Sequence, residues 1–288
     1  MPTAVSTKPF LLRLGQFVRF SHTIFALPFA LIAMFVAGNG RVPVTVFVWI
    51  LVCMVAGRTA AMCFNRLVDW EIDKENPRTA SRHTLLGKSS AWITFTLTLV
   101  PLVFGTWKLN PLCFYLSPVM LVLITFYSLT KRFTAFSHFF LGLALSVAPM
   151  GAWAAVRGEL WSVTPYFLAA AVLCWVFGFD LIYSTLDADF DRKKGLFSFP
   201  ARFGVWPALK LARILHGIAA IAFLVFGWLA HLGPYYWAAW LVVLLALIWE
   251  HRIANPESPA SINEAFFNVN ALVSISLLAG VFLNYFGP

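Results

Sequence analysis

Nine runs of about 20 mostly apolar residues recur along the whole chain, and they limit the possible folds more than any other feature. They fall near 17–37, 44–69, 91–108, 112–130, 138–156, 165–188, 208–230, 235–250 and 264–285. In hydrocarbon every backbone N–H and C=O must be satisfied internally, so apolar runs of this length read as helices that cross a bilayer. The sequence predicts an all-α polytopic membrane protein: a bundle of about nine transmembrane helices around a central cavity, with residues 1–288 forming one integral-membrane domain. Composition agrees. With 60% hydrophobic and 11% charged residues, the chain has too little charge to coat a water-soluble domain of its size. Cys53, Cys63, Cys113 and Cys174 stand singly in apolar stretches without C-x-x-C spacing and read as packing residues. Lys8, Arg13 and Arg19 precede the first run, and no small-residue cleavage pattern follows it, so a removable signal peptide is not expected.

Basic residues set the expected orientation. Seventeen of the 21 Lys and Arg lie before the first run or beside the loops after the second, fourth, sixth and eighth. They are Lys8, Arg13, Arg19, Arg66, Lys74, Arg78, Arg82, Lys88, Lys131, Arg132, Arg192, Lys193, Lys194, Arg202, Lys210, Arg213 and Arg252. Only Arg41, Lys108 and Arg157 fall on the other side, and Arg58 lies within the second run. This bias places the N-terminus in the cytoplasm and, after nine crossings, the C-terminus outside. The net charge of +9 is then a topology signal facing the lipid bilayer, and no nucleic-acid partner is expected.

The acidic residues are more concentrated still. Of the 12, four lie in Asp69–Glu75 and four in Asp180–Asp191, and both segments close a run on the cytoplasmic side. An ionised carboxylate near hydrocarbon costs several kcal/mol unless it is paired or metal-bound, so two such concentrations point to a site. Asn65, Asp69 and Asp73 stand at i, i+4 and i+8, within about 80° on one helix face. Arg58 lies two turns deeper on the same stripe, whereas Glu71 points elsewhere. Asp180, Asp187 and Asp191 fall within about 40° if the helix stays regular, with Asp189 on the opposite face as a loop or capping residue.

Two facing sets of carboxylates repel unless something positive lies between them. Mg²⁺ suits that place, because it takes oxygen ligands from a few carboxylates together with substrate phosphates. Arg66, Lys74, Arg78 and Arg82 follow the first cluster, and Arg192, Lys193, Lys194 and Arg202 follow the second. The combination suits a diphosphate. The plainer alternatives are a structural ion-pair network and, for the basic residues, simple attraction to anionic headgroups. Tyr127 and Lys131, at i and i+4 at the end of the fourth run, either join this anion site or form an interfacial Tyr with a snorkelling Lys. His22 reads as an interfacial residue, and His83, His138, His216, His231 and His251 suggest nothing specific.

The whole pattern resembles the UbiA superfamily of intramembrane aromatic prenyltransferases. The residues that carry the resemblance are Asn65-x-x-x-Asp69-x-x-x-Asp73 with Asn76-Pro-Arg-Thr-Ala-Ser-Arg82, Tyr127-x-x-x-Lys131, and Asp180-x-x-Tyr183-x-x-x-Asp187-x-Asp-x-Asp191 leading into Gly195 to Gly204. The resemblance implies two Mg²⁺ ions bridging the Asp motifs and a polyprenyl diphosphate. Asn65, Asp69, Asp73, Asp187 and Asp191 would be metal and diphosphate ligands. Tyr127 and Lys131 would help hold the diphosphate, with Arg66, Arg78 and Lys194 adding positive charge. Asp180 would complete the outer layer of the site or contact the aromatic acceptor, and Arg58 would pair with the acceptor's carboxylate.

The implied activity is Mg-dependent transfer of a polyprenyl group to the ring of a hydroxyaromatic acid in respiratory quinone biosynthesis, in a bacterial inner membrane with the active site on the cytoplasmic side. The catalytic set would be Asp69, Asp73, Lys131, Asp187 and Asp191. The base for the ring proton would be the diphosphate or a carboxylate such as Asp187. For the acceptor, 4-hydroxybenzoate is the commonest in the family. This chain departs from that pattern by carrying Asn65-Arg66 where Asn-Asp is more usual. That pair, Asn76-Pro-Arg-Thr79 and Ser21 to Ala30 are similar to a branch associated with menaquinone, whose acceptor would be 1,4-dihydroxy-6-naphthoate. An ion-coupled transporter is the rival from another class, but both acidic clusters sit at run ends rather than at mid-depth. A CDP-alcohol phosphotransferase would need D-G and A-R elements that the clusters lack, and hydropathy excludes a soluble prenyl diphosphate synthase.

Overall fold

A computed structural model describes residues 9–288, so Lys8 lies outside the described residues. Among the described residues nine helices are long and apolar enough to cross a membrane, and no strand occurs. They are α1 (Phe20–Ala37), α2 (Val44–Val68), α3 (Lys88–Leu109), α4 (Pro111–Thr130), α5 (Ser137–Arg157), α6 (Thr164–Lys194), α7 (Val205–Leu229), α8 (Pro234–Ile253) and α9 (Pro259–Phe286). All nine apolar runs became helices. The chain is an all-α integral membrane protein.

Local chemistry explains where these helices start and stop. Pro111, Pro165, Pro234 and Pro259 occupy first-turn positions, where a missing N–H costs nothing. The Asn110 side chain caps α4 by accepting from the Cys113 N–H at 2.9 Å. Gly158, at φ +69°, closes α5 in the left-handed conformation that favours glycine.

Helix α6 packs against α5 on one side and α7 on the other, α1 lies against α5 and α9, and α2 packs on α3 and α4. The α6–α7 approach depends on Gly178, where a Cβ would stand 2.3 Å from the His216 ring. Phe29, Trp175, Phe179, Phe223, Phe226 and Tyr236 fill the centre, while Leu97, Val100, Val122 and Ile221 point outward to lipid. Helices α1 and α2 share few contacts, and a cavity opens between them and α4, α5 and α6.

Three local departures from regular helix matter for the site. The first run does not begin as one helix: a separate helix, Phe10–Phe17, precedes α1, and Arg19 turns the chain at φ +47°. Helix α2 stops at Val68, and Asp69 links it to a short helix, Trp70–Glu75, which carries Asp73. Helix α6 tightens into a 3₁₀ turn at Thr185–Asp187, so the regular spacing expected from Asp180 to Asp191 is broken there. The clusters therefore sit at helix junctions, where backbone direction changes bring their carboxylates toward the cavity.

Candidate active site

The cavity, about 560 Å³, has a charged mouth and an apolar depth. Its depth is lined by Ile50, Met54, Cys113, Met120, Leu145 and Ala152. Ile50 lies 18 residues before Val68 on α2, so the cavity runs about 27 Å along that helix, close to the thickness of bilayer hydrocarbon. Five carboxylates, of Asp69, Asp73, Asp180, Asp187 and Asp191, line the mouth, along with six cations, Arg19, Arg58, Arg66, Arg78, Arg82 and Lys131.

In the first cluster Asp69 and Asp73 each meet two cations. Asp69 accepts from Lys131 Nζ at 2.6 Å and from Arg132 Nη2 at 2.9 Å. Asp73 accepts from Arg82 Nη1 at 2.9 Å, with Arg66 Nη1 at 3.5 Å. Burial works against the Asp73 carboxylate, yet Arg82 and Arg66 together hold it below the usual carboxylate range. Arg82 is itself lowered to about 10, by burial and by the neighbouring Arg66. Asn65 donates to Ser128 Oγ at 3.2 Å, and its own oxygen accepts from Arg66 at 3.4 Å.

Across the mouth, Asp187 is held by Arg78, whose Nε donates at 2.9 Å and whose Nη2 pairs with the second oxygen, and by Asn76 Nδ2 at 3.1 Å. Burial opposes the Arg78 charge, but the hydrogen bond to Asp187 together with the charges of Tyr183, Asp187 and Asp73 raises the guanidinium above its ordinary value. Arg78 Nη1 also donates to the Tyr183 hydroxyl at 2.7 Å and lies over its ring. Asp191 lines the cavity and has no salt-bridge partner among the described residues. For Asp69, Asp73 and Asp187 the positive charge that facing carboxylates require is thus supplied by the protein's own side chains, whereas Asp191 receives none from a salt bridge among the described residues. Among the described residues no three His, Cys, Asp or Glu side chains converge as a metal cage. The donors present are carboxylate and amide oxygens on two opposed sides, a set that fits a hard cation only when a substrate's phosphates add ligands.

Most residues singled out from the sequence meet at this mouth: Asn65, Asp69, Asp73, Arg58, Arg66, Arg78, Tyr127, Lys131, Asp180, Asp187 and Asp191 all line the cavity. Lys194 does not line it. Its ammonium pairs with Glu75 outside the cavity wall. Arg58 and Arg19 differ from the other four cavity cations in having no carboxylate partner among the described residues: Arg19 Nη1 donates to the Tyr183 hydroxyl at 3.4 Å, while Arg58 Nη2 reaches only the Arg19 carbonyl at 3.5 Å and its Nε has no partner. Sequence reasoning missed three partners: Arg132 on Asp69, Asn76 on Asp187 and His138 on Asp180. Asn76 follows the first cluster closely enough to be suspected, whereas His138 enters from α5 and carries no local signal.

His138 and Asp180 form a close pair, with Nδ1 and Oδ2 2.6 Å apart. The Phe199 N–H points to His138 Nε2 at 3.4 Å, which assigns the ring proton to Nδ1 and makes it a donor to Asp180. Both residues line the cavity.

A charged mouth on a deep apolar cavity, inside a helical bundle, defines a membrane-embedded protein with a cavity shaped for an amphiphile, its anionic head at the charged mouth and its tail in the apolar depth. The model of the UbiA prenyltransferase family matches residues 26–272. A 4-hydroxybenzoate octaprenyltransferase of Shewanella woodyi is 30% identical over 278 residues, 95% of this chain and 96% of that protein. Another of that name, from Tolumonas auensis, is 32% identical over 229 residues, 78% of this chain and 79% of its own length. The apo structure of a UbiA homolog from Aeropyrum pernix K1 superimposes with a TM-score of 0.82 at 30% identity, covering 91% of this chain and 97% of that one. A UbiA homolog from Archaeoglobus fulgidus, solved bound to DMAPP and Mg²⁺, shares the fold at a TM-score of 0.69 and 17% identity, covering 93% of this chain and 99% of that one. The chain belongs to the UbiA prenyltransferase family. It is a prenyltransferase, and the intramembrane carboxylates are not those of an ion-coupled transporter.

Proposed function

We propose that this protein, acting as one unit, transfers a polyprenyl group from its diphosphate to the ring of a hydroxyaromatic acid of the 4-hydroxybenzoate type, in quinone biosynthesis. The observation that carries this reading is Arg58, a cation without a carboxylate partner among the described residues, facing a cavity in which Arg66, Arg78, Arg82 and Lys131 are already paired with Asp and Arg19 is turned to the Tyr183 hydroxyl. A carboxylated acceptor supplies the missing partner.

Asp69, Asp73 and Asn65 on one side, with Asp187 and Asp191 on the other, would hold Mg²⁺ together with the diphosphate, as the names of the related structures suggest. Bound there, the ions would supply Lewis-acid charge for the leaving diphosphate. Arg66, Arg78, Lys131 and Tyr127 would hold the diphosphate oxygens and stabilise the charge that grows on them as the allylic C–O bond breaks. The tail would lie in the apolar depth and reach the bilayer sideways, and the apolar lining would keep water from the allylic carbon. The acceptor ring carbon then forms the new C–C bond and loses its proton.

Both oxygens of Asp187 are engaged by Arg78 and Asn76, so it is a poor base. Asp180 keeps Oδ1 free of hydrogen bonds from the described residues while His138 orients Oδ2, and we assign the proton to Asp180. The N-terminus would be cytoplasmic, with the active site on that side of an inner membrane and the C-terminus outside; a C-terminal reporter should be active only externally.

The test is incubation of membranes holding the protein with radiolabelled polyprenyl diphosphate, Mg²⁺ and one acceptor at a time. Product with 4-hydroxybenzoate supports the reading. Product with 1,4-dihydroxy-6-naphthoate alone reassigns the acceptor, and product with neither refutes the acceptor class.

A further inference from the structure

A second polar cluster lies in the bundle behind the aromatic wall of the cavity, where the chemistry above does not use it. It joins four helices: Trp175 on α6, His216 on α7, Glu250 and His251 on α8, and Asn270 on α9. Glu250 and Asn270 are fully buried. Asn270 Oδ1 accepts from the Trp175 indole N–H at 2.6 Å, and its Nδ2 donates to Glu250 Oε1 at 2.8 Å. The same Nδ2 reaches the carbonyls of Ala265 at 3.2 Å and Phe266 at 3.1 Å.

Those two carbonyls belong to a single π-helical turn, Ala265–Val269, inside α9. Such a turn inserts one residue and disturbs the ordinary i→i−4 ladder, so its carbonyls need another donor. Asn270 provides one. The turn carries Phe266, whose ring stacks on Tyr183 with centroids 4.1 Å apart and planes at 27°. The Tyr183 hydroxyl in turn accepts from Arg78 at 2.7 Å and from Arg19 at 3.4 Å. A continuous path of contacts therefore runs from the buried cluster to two guanidinium groups at the mouth.

Among the described residues Glu250 has no Lys or Arg in salt-bridge range. Its second oxygen lies 3.4 Å from His216 Nδ1, which also faces His251 Nε2 at 3.0 Å, while His216 Nε2 donates to the Trp175 carbonyl at 3.2 Å. One proton shared among Glu250, His216 and His251 leaves the cluster without an uncompensated charge in the membrane.

We propose that Asn270 is a positioning residue for the proposed prenyl transfer, and that Glu250 serves it as a neutral hydrogen-bonding group. Asn270 fixes the π-turn, the turn sets Phe266 against Tyr183, and that stack fixes Arg78 and Arg19 where a diphosphate is received. The inference rests on the reading of the site as a diphosphate site, and its test is separable from the identity of the acceptor.

The experiment measures binding of an unreactive prenyl thiolodiphosphate with Mg²⁺ by calorimetry, on the detergent-solubilised full chain, together with a thermal melt. Asn270→Leu and Phe266→Leu should each weaken binding about tenfold, and the double variant should be no weaker than either alone. Glu250→Gln keeps an oxygen for Asn270 and offers an amide to His216, so binding should stay within about twofold of wild type. Additive losses, wild-type binding in Asn270→Leu, or a Glu250→Gln loss equal to that of Asn270→Leu would each overturn the proposal. If Asn270→Leu does not fold, Asn270→Ala removes the same hydrogen bonds without adding a branched side chain; a loss of about threefold supports the proposal, and no loss overturns it. A wild-type protein that binds the analogue yet prenylates no acceptor defeats the proposed reaction and leaves this cycle intact.

Discussion

Replacing Arg58 by leucine separates the cost of folding from the gain in binding. Loss of Arg66, Arg78, Arg82 or Lys131 takes a cation from a carboxylate of the mouth, but Arg58 salt-bridges none among the described residues. Its one hydrogen bond, 3.5 Å to the Arg19 carbonyl, is at the limit of usefulness. The variant should therefore melt no lower than wild type.

Binding is another matter. A guanidinium–carboxylate hydrogen bond is worth about 1.5–3 kcal/mol, which at about 1.4 kcal/mol per decade is roughly a 10- to 150-fold rise in the acceptor KM. The donor KM should stay within about threefold, because the diphosphate is held by other residues. The assay is initial-rate transfer of a radiolabelled prenyl group at varied acceptor, repeated with the corresponding phenol lacking the carboxylate. Wild type and variant should use the phenol equally poorly. An equal loss on the phenol, or a loss confined to the donor, would refute the pairing.

Three further outcomes follow from the same geometry. Asp69→Asn should abolish Mg²⁺-dependent transfer with little loss of stability, because its partners Lys131 and Arg132 are partly exposed; Asp73→Asn and Asp187→Asn should also abolish transfer, with the larger melting penalty at Asp73, which strands buried Arg66. Asp180→Asn should lower kcat by about 10²- to 10⁴-fold with the acceptor KM nearly unchanged, and His138→Gln, which retains a donor, should lose less; equal loss in both would count against Asp180 as the base. Asp73 is held below the ordinary carboxylate value, so its contribution to stability is complete above about pH 4 and lost as pH falls through the depressed value. Arg82→Leu should remove that contribution and destabilise by about 3 kcal/mol at neutral pH, read as a shift in a melt run from pH 7 downward.

The nine spans were legible because hydrocarbon demands helices, and a run such as 44–69 has no other way to satisfy its backbone. The Asp motifs were legible for a related reason, since charge at membrane level is rare enough to count. What stayed hidden depends on pairing between distant segments. Nothing near residue 138 announces that its ring will meet Asp180, and nothing near 132 announces Asp69. The 3₁₀ turn at Thr185–Asp187 and the π-turn at Ala265–Val269 contain neither Gly nor Pro, so no local breaker marks them. Glu250 stands at the end of an apolar run with no local signal around it, and only the convergence of α6, α7, α8 and α9 makes it a buried partner of Asn270.

The apolar depth of the cavity also decides what selects the donor. A polyprenyl tail leaving the bilayer for the space between Ile50 and Ala152 exchanges one hydrocarbon solvent for another, and lipid chains are as apolar as the leucines that replace them. The partition free energy of the tail is then close to zero, however long the tail is. Recognition falls to the head group, so a tail analogue without the diphosphate should be a weak competitor, and donors of different tail length should compete on nearly equal terms.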